Sequence, residues 1–223
     1  MGEIRIMKKA DKYDMPGLIE AQFEPGSRGR VLKNKLGIKS KREMDKLERR
    51  EQLRTIEELI GIYDRNHRFI AADICKIHKL WLEKIYDWSG KYRQVNVSKG
   101  DFTFASSVQV PKLMSEFEKE ALYEFTPCNF KTIDQIVKAL SIVHTELVLI
   151  HPFREGNGRV ARMLSILMGM QAGLPPLDFK GIVGRKKKEY ILAVQAGMSR
   201  NYDPIEKIFR SVIRRTLRIR GHR

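Results

Sequence analysis

The chain has 223 residues, of which 42% are hydrophobic, and this suits one domain with a substantial core rather than two complete domains. Its 43 basic and 27 acidic residues give a formal net charge of +16 at pH 7, which favours anionic partners such as nucleotides, nucleic acids or acidic proteins. No apolar run approaches the ~20 residues that cross a bilayer, and the charged N-terminus lacks the apolar stretch of a signal peptide. We therefore expect a cytoplasmic protein with no membrane partner.

Residues 1–40 are predicted to form an extended arm. Prolines and glycines are frequent in this segment, and its apolar residues show little periodicity. From about Ser40 the apolar residues recur at three- and four-residue steps with charged residues between them, which predicts a long helix. We therefore divide the chain into an N-terminal arm, 1–40, and a folded domain, 41–223.

The middle of the chain is predicted to contain two helices separated by a β-hairpin. Helical spacing of apolar residues covers about 68–85 and resumes at about 112–125. Between them, in 89–111, short alternations of apolar residues surround a turn at Gly100. Such alternation predicts a small hairpin.

Four helices are predicted to follow. Thr132 and Gln135 have the spacing of a capping box, so a helix should begin there and continue with a broad apolar face to Ile150. A second should open near Asn157 and run to about Gln171. The last two cover about 185–199 and 203–219. The sequence thus predicts an all-α bundle with one small hairpin.

The most informative stretch is HPFREGNGRVAR, residues 151–162, which lies between two apolar helices. Gly156 and Gly158 remove side chains from a turn, so backbone N–H groups can point together into a concavity that suits an anion. The helix that begins there adds the positive end of its dipole. Arg159 and Arg162 are three residues apart and share a helix face, so both can reach a polyphosphate.

Two further side chains of this stretch suit the chemistry of a reaction. Glu155 precedes the turn, where a carboxylate can hold Mg²⁺ that bridges phosphate oxygens. His151 ends the preceding helix, and the near-neutral pKa of histidine suits it to take a proton from a hydroxyl. A phosphate cradle, a metal ligand and a base in one short segment favour a reactive phosphate site over a surface turn that happens to contain glycines.

This stretch resembles the signature of the Fic family, HxFx(D/E)GNGRxxR, and matches it at every specified position. The segment GKYR at 90–93, the predicted hairpin after it and the helical frame from about 65 to 210 extend the resemblance. The resemblance implies a Fic-fold helical bundle with a β-hairpin flap, in which 41–223 is the catalytic domain. It also implies a protein adenylyltransferase, which moves AMP from ATP onto a tyrosine, threonine or serine hydroxyl of a target protein.

The resemblance further implies roles for individual residues. His151 would be the base that deprotonates the target hydroxyl, and Glu155 would bind Mg²⁺ on the α- and β-phosphates of ATP. Arg159 and Arg162 would grip the outer phosphates, with Arg162 on the γ-phosphate. The residues implied in nucleotide binding are Gly156, Asn157, Gly158, Arg159 and Arg162. The residues implied in a flap that docks the target by strand-like pairing are Ser98, Lys99, Gly100, Asp101 and Phe102.

Two alternatives stay open for the function. Gly158 argues against the kinase-like Doc branch of the family, which has lysine at that position. Phosphocholine-transferring members keep much of the motif, however, so a Fic-fold transferase of another phosphate-containing group is one alternative. The other is a basic nucleic-acid-binding module with a non-catalytic nucleotide site, which only the net charge favours.

The chain is not predicted to be inhibited by the motif that is usual in Fic proteins. Many Fic proteins are held inactive by a helix with the pattern (S/T)xxxE(G/N), whose glutamate pairs with the second arginine of the signature. Neither Ser40 nor Thr55 is followed by that pattern. We therefore expect a separate small inhibitory protein of the antitoxin type, or an unconventional segment.

Three polar residues outside the signature, His144, Tyr190 and Asn201, are not predicted to form part of the site. His144 lies seven residues before His151, and we expect a hydrogen-bonded core histidine there. Tyr190 and Asn201 fall where Fic proteins often build the adenine pocket, although a tyrosine at helical spacing is more often a core residue. All three are left out of the predicted site.

Overall fold

The computed structural model describes residues 17–100 and 102–221; Asp101 of the predicted flap and residues 1–16 of the predicted arm lie outside the described residues. The predicted all-α class with one hairpin is confirmed. The helices are α1 (Lys41–Ile62), α2 (Ala71–Leu82), α3 (Val110–Phe117), α4 (Tyr123–Phe125), α5 (Ile133–Ile150), α6 (Asn157–Gln171), α7 (Arg185–Ala196) and α8 (Asp203–Gly221). Strands β1 (Ser98–Lys99) and β2 (Phe102–Thr103) form an antiparallel hairpin. None of the described helices combines the length and the apolar character of a membrane span.

Helix α5 packs against α6 and α8 in the core of the molecule. It begins at the predicted capping box, because the Thr132 hydroxyl accepts from the Gln135 amide and the Gln135 side chain accepts from the Thr132 amide. The bounds of α6 are those that the sequence predicts, and most side chains of both helices are buried. Since both helices are anchored in the core, the loop 151–156 between them has fixed ends.

Helices α1 and α2 form a second pair that packs against α6. The predicted helix 68–85 is longer than α2, because the Asp73 carboxylate accepts from the Ile70 amide and caps the helix there. Trp81, near the end of α2, is buried and lies directly against Gly156 of the 151–156 loop. The α1–α2 pair therefore packs directly against that loop.

The described part of the predicted arm, residues 17–40, is irregular but packs on the helices. Val31 and Leu32 are buried in the same core as the helices. The Lys35 amide donates a 2.9 Å hydrogen bond to the Ile85 carbonyl, just after α2. This segment therefore contributes to the core, and the domain boundary at residue 40 stays a prediction.

Candidate active site

A cavity of about 1030 Å³ opens where the loop 151–156, the β-hairpin and α7 come together. Every predicted site residue that the structure describes lines this cavity. These residues are Ser98, Lys99, Gly100, Phe102, His151, Glu155, Gly156, Asn157, Gly158, Arg159 and Arg162. The fold therefore brings two segments that are distant in the sequence into one site.

His151 follows the last residue of α5 in the left-handed conformation, with φ 53° and ψ 56°. Its Nδ1 is 3.1 Å from the carbonyl oxygen of Val148, which can only accept, so Nδ1 carries the proton of the neutral ring and Nε2 carries none. The ring of Phe104 stacks on the imidazole with 3.6 Å between centroids. Burial lowers the pKa of His151 to about 4. The imidazole is therefore neutral at pH 7, and Nε2 can accept a proton.

The two glycines of the turn are required for different reasons. Gly156 has φ +90°, and a Cβ there would lie 2.6 Å from Cζ3 of Trp81, so no side chain fits without a shift. A Cβ on Gly158 would meet no described atom within 4 Å beyond its chain neighbours and the backbone of its own helix. The packing of the protein itself therefore demands glycine at 156, whereas glycine at 158 only leaves the cavity wider.

Asn157 uses its side chain to close the loop. Its Oδ1 accepts from the Phe153 amide at 2.8 Å, and its Nδ2 donates to the Phe153 carbonyl at 2.7 Å. Its backbone amide and that of Gly158 are the first two of α6, so they have no intrahelical acceptor. These two amides, with the helix dipole behind them, can bind an anion in the cavity.

Glu155 has one engaged and one open carboxylate oxygen. Oε1 accepts from the Gly156 amide at 3.0 Å and from Nη2 of Arg159 at 3.1 Å, while none of the described residues donates to Oε2. Burial opposes ionisation of this carboxyl, but the charge of Arg159 and the two hydrogen bonds outweigh it, so the pKa of Glu155 lies below its ordinary value.

Glu155 is a lone carboxylate for metal binding. Within residues 17–100 and 102–221, no group of three or more His, Cys, Asp and Glu side chains could hold a metal ion by itself. A Mg²⁺ at Oε2 of Glu155 would therefore take its other ligands from phosphate and water, which is how this ion is usually bound. An ionised carboxylate with one open oxygen fits that chemistry.

Arg159 and Arg162 lie one turn apart on α6, and they differ in whether a carboxylate pairs with them. Nη1 of Arg159 is 2.5 Å from Oε2 of Glu48 on α1, and its guanidinium stacks over Trp81 at 4.5 Å. Arg162 makes no ion pair with any described carboxylate. Burial lowers the pKa of Arg162, but a guanidinium stays charged at pH 7. Arg162 is therefore the arginine of the signature that is available to a ligand.

His144 is a fully buried core histidine, as the sequence predicts. The Ser165 hydroxyl donates its proton to the Ala161 carbonyl, so it must accept from Nδ1 of His144, 3.1 Å away. Nε2 of His144 then accepts from the hydroxyl of Tyr190 at 2.7 Å. Tyr190 lines the cavity, whereas Asn201 does not.

His78 supports the site from the core, although nothing in the sequence marks it for that role. It is fully buried, its Nδ1 accepts from the Gly90 amide at 2.8 Å, and its Nε2 donates to the Glu155 carbonyl at 3.1 Å. Its ring stacks on Phe153 with 3.9 Å between centroids. His78 thus fixes the backbone of Glu155, and a lone histidine on an apolar helix face carries no local signal of that role.

Arg93 is a second such residue, although its segment GKYR belongs to the stretch that resembles the family. Its guanidinium is buried and donates to three carbonyls, those of His151 at 2.7 Å, Val95 at 2.8 Å and Ala105 at 2.5 Å. Val95 and Ala105 flank the hairpin on either side. Arg93 therefore ties the base of the hairpin to His151.

Glu20, in the predicted arm, adds to this connection. Its carboxylate accepts from the amides of Gln94 at 2.6 Å and Val95 at 3.0 Å, and its carbonyl accepts from Nε of Arg154 at 2.9 Å. The side chain is buried. One residue of the arm therefore joins the hairpin stem to the loop 151–156, which sequence periodicity does not reveal.

This chain is similar in sequence to proteins of the Fic/DOC family. The model of the Fic/DOC family matches residues 68–168. The "Probable protein adenylyltransferase Fic" of Salmonella typhimurium is 26% identical over 208 residues, which are 91% of this chain and 92% of that protein. A protein adenylyltransferase of Caenorhabditis elegans is 39% identical over 89 residues, which are 40% of this chain but only 16% of that protein.

Solved structures share the fold. The N-terminal Fic domain of a VirB-translocated effector protein of Bartonella quintana, crystallised with bound ADP, is 25% identical with a TM-score of 0.68. The match covers 85% of this chain and 92% of that one. The N-terminal Fic domain of the Bep8 protein of Bartonella sp. 1-1C has a TM-score of 0.69 at 18% identity, over 90% of this chain and 94% of that one.

Proposed function

Residues 68–168 of this chain belong to the Fic/DOC family, and on that premise we propose that the protein transfers AMP from ATP to a tyrosine, threonine or serine hydroxyl of a target protein. The names of the relatives from Salmonella and Caenorhabditis support an adenylyltransferase. The ADP in the Bartonella quintana domain supports a nucleotide in the cavity. The observation that carries the proposal is the neutral imidazole of His151 beside the open N-terminus of α6.

His151 would act as the general base. Its Nε2 takes the proton of the target hydroxyl as the hydroxyl oxygen attacks the α-phosphorus of ATP. A bond forms between the target oxygen and the α-phosphorus, the bond from that phosphorus to the bridging oxygen breaks, and pyrophosphate leaves. With a pKa of about 4, the imidazole is in the form that this step needs at neutral pH.

The turn after Glu155 would hold the phosphates. The amides of Asn157 and Gly158 point from the start of α6, and the positive charge of Arg162 lies one turn further along the cavity wall. Such preorganised donors stabilise the charge that develops on phosphate oxygens during transfer. Gly158 leaves room for a phosphate close to the backbone, which supports its place among the nucleotide-binding residues.

Glu155 would hold Mg²⁺ through Oε2, the oxygen without a donor. When bound, Mg²⁺ neutralises charge on the α- and β-phosphates. The protein's part is to keep the carboxylate ionised and correctly turned, which the Gly156 amide and Arg159 do through Oε1.

The hairpin would dock the target. A two-stranded hairpin has two outer edges whose backbone groups do not pair within it, and an extended target segment can add to such an edge. Lys99, Gly100 and Phe102 line the cavity near His151. A target segment paired there would carry its hydroxyl side chain towards Nε2 of the base.

Control by a separate inhibitory protein of the antitoxin type and a cytoplasmic location stay predictions. In support of the first, none of the described carboxylates pairs with Arg162, the arginine that an inhibitory glutamate would occupy. An isolated protein that is inactive until one of its own glutamates is replaced would contradict an external inhibitor.

The test uses ATP labelled at the α- or the γ-phosphate, incubated with the purified protein and cell lysate. We expect protein-bound label from α-³²P only, and its loss in His151→Ala that keeps the native circular dichroism spectrum. Label from γ-³²P only would indicate a kinase. Absence of label from either position, together with binding of nucleic acid, would favour the non-catalytic alternative.

A further inference from the structure

The two arginines of the signature differ in what already holds them. Arg159 is engaged by two carboxylates, Glu48 at 2.5 Å and Glu155 at 3.1 Å, and it stacks on Trp81 at 4.5 Å. Arg162 has no carboxylate partner among the described residues. Two negative charges beside Arg159 leave it little net charge for a phosphate, whereas Arg162 keeps its full charge for the cavity.

Glu48 is built into the core and is not a surface acid that happens to reach Arg159. Its side chain is 2% exposed, its Oε1 accepts from the Tyr86 hydroxyl at 2.8 Å, and its backbone carbonyl accepts from Nε1 of Trp81 at 2.8 Å. If Arg159 left to bind a phosphate, the Tyr86 hydroxyl would be the only partner of the buried Glu48 carboxylate among the described residues. Removing one partner of a buried ion pair is strongly unfavourable. The pair is therefore expected to persist when nucleotide binds.

Arg159 contacts one of the two carboxylate oxygens of Glu155, and this fixes which oxygen stays open. Arg159 and the Gly156 amide both donate to Oε1 of Glu155, and this leaves Oε2 as the oxygen without a donor from the described residues. A carboxylate held in this way presents one fixed oxygen to a cation. Groups that orient a metal ligand commonly matter nearly as much as the ligand itself.

We propose that Glu48 is a positioning residue that locks Arg159 onto Glu155, so that Arg159 orients the metal-binding carboxylate and Arg162 is the arginine that grips the outer phosphates. The inference rests on the proposed function and revises the expectation that both arginines bind phosphate. It assigns to α1 a part in the site that neither the signature nor the spacing of the sequence reveals.

The test separates binding of phosphate from binding of metal. The variants are Glu48→Gln, Arg162→Gln and the double variant Glu48→Gln/Arg159→Gln, which removes both charges of the buried pair and so avoids a lone buried charge. Glu51→Gln is the matched control, because Glu51 is a buried acid one turn along α1 that pairs with Arg54 instead of the signature. Thermal unfolding checks that each variant is folded.

Two readouts are independent of turnover. The first is the affinity for ATP and for AMP in EDTA, and the second is the affinity of Mn²⁺ for the complex with a non-hydrolysable ATP analogue, measured by electron paramagnetic resonance. We expect Arg162→Gln to weaken metal-free ATP binding roughly tenfold or more without a similar loss for AMP. We expect the double variant to keep metal-free ATP binding within about twofold but to weaken Mn²⁺ roughly tenfold. Glu48→Gln should weaken Mn²⁺ less, and Glu51→Gln should change neither affinity.

Several outcomes would overturn the inference. One is a loss of metal-free ATP binding in the double variant as large as that in Arg162→Gln, since Arg159 would then be a phosphate ligand. Another is higher AMP transfer by Glu48→Gln with unchanged Mn²⁺ affinity, since Glu48 would then restrain the enzyme. If the wild-type protein neither binds ATP nor transfers label, the proposed function fails and this inference fails with it. An active wild-type protein whose variants behave otherwise refutes the inference alone.

Discussion

The two walls of the cavity are built in different ways. The wall that carries the signature is held by buried side chains from distant segments, with His78, Glu48 and Trp81 all contacting the loop 151–156 or the first turn of α6. The other wall consists of the two-residue strands, the segment before α7, where Val183 is 67% exposed, and α7 itself. Groups that perform chemistry need fixed geometry, whereas groups that receive a partner can adapt. The difference suggests that chemistry belongs to the first wall and target contact to the second.

Arg93 connects the two walls. Its three hydrogen bonds join the His151 carbonyl on the fixed wall to both ends of the hairpin on the other. Glu20 makes a parallel connection through the hairpin stem and Arg154. The adaptable wall is therefore anchored at its base.

The largest expected effect comes from the fixed wall. Gly156→Ala would place a methyl group 2.6 Å from Trp81, so the turn must move. We expect AMP transfer to fall at least about a hundredfold, since small misplacements near the chemistry cost that much, and the melting temperature to fall as well. Gly158→Ala is the control, because its methyl group meets no described atom within 4 Å beyond its chain neighbours and its own helix backbone. It should keep the melting temperature while weakening ATP binding, and equal unfolding of both variants would remove the distinction between the glycines.

Breaking the link between the walls should have the next largest effect. Arg93→Ala leaves three carbonyls without their donor. We expect a loss of about 2–4 kcal/mol in the free energy of unfolding, measured by denaturant titration, and faster amide exchange across the hairpin. Arg93→Lys keeps the charge, but its three N–H donors are on one nitrogen and cannot reach all three carbonyls, which bind three different nitrogens of Arg93, so it should rescue little. Unchanged exchange in a folded Arg93→Ala would show that the hairpin is held by other contacts.

The pH profile tests the burial of His151, the proposed base. An ordinary histidine titrates near 6.5, but the pKa of His151 is lowered to about 4. Protonation of Nε2 removes the base, so kcat/KM should be insensitive to this group from about pH 6 to 8 and should fall roughly tenfold per unit below its pKa. The measurement is the pH dependence of kcat/KM, with NMR titration of the His151 ring as a direct check. A midpoint between pH 6 and 7 would show that the ring is solvated.

The smallest effect is expected from the adaptable wall. Phe104→Ala removes the ring that stacks on His151 and lets water reach the imidazole. The pKa of His151 should rise towards its ordinary value, so transfer at about pH 5.5 should fall a few fold while transfer at pH 8 changes little. The titration of the His151 ring in this variant measures the shift directly. An unchanged pKa would assign the desolvation to the fixed wall alone.

The sequence predicts a helix boundary well where the residues that set the boundary are next to it in the chain. The capping box at Thr132 and Gln135 and the glycine turn before Asn157 both lie beside the boundaries that they set. The end of α2 is less predictable, because apolar residues continue past the helix into buried turns, as at Ile85.

The site residues likewise fall into those that are close in the sequence and those that only the fold brings together. The signature brings its own residues together because they are neighbours in the chain. Glu48 and His78 reach it only through the packing of α1 and α2 on α6, so no spacing in the sequence marks them. Asn157 is marked by the signature, but only the structure shows that its side chain closes the loop.

The open space at Gly158 has a consequence for evolution. Since a Cβ at this position meets no described atom within 4 Å beyond its chain neighbours and its own helix backbone, replacement by alanine is not expected to disturb the packing of the turn. A small side chain at this single position is therefore compatible with the scaffold, and it would lie at the cavity where the phosphates of the proposed nucleotide would bind. Gly156 does not tolerate such a change, because a Cβ there would lie 2.6 Å from Trp81. Substitutions that alter the reaction within this fold are therefore expected at position 158 and not at position 156.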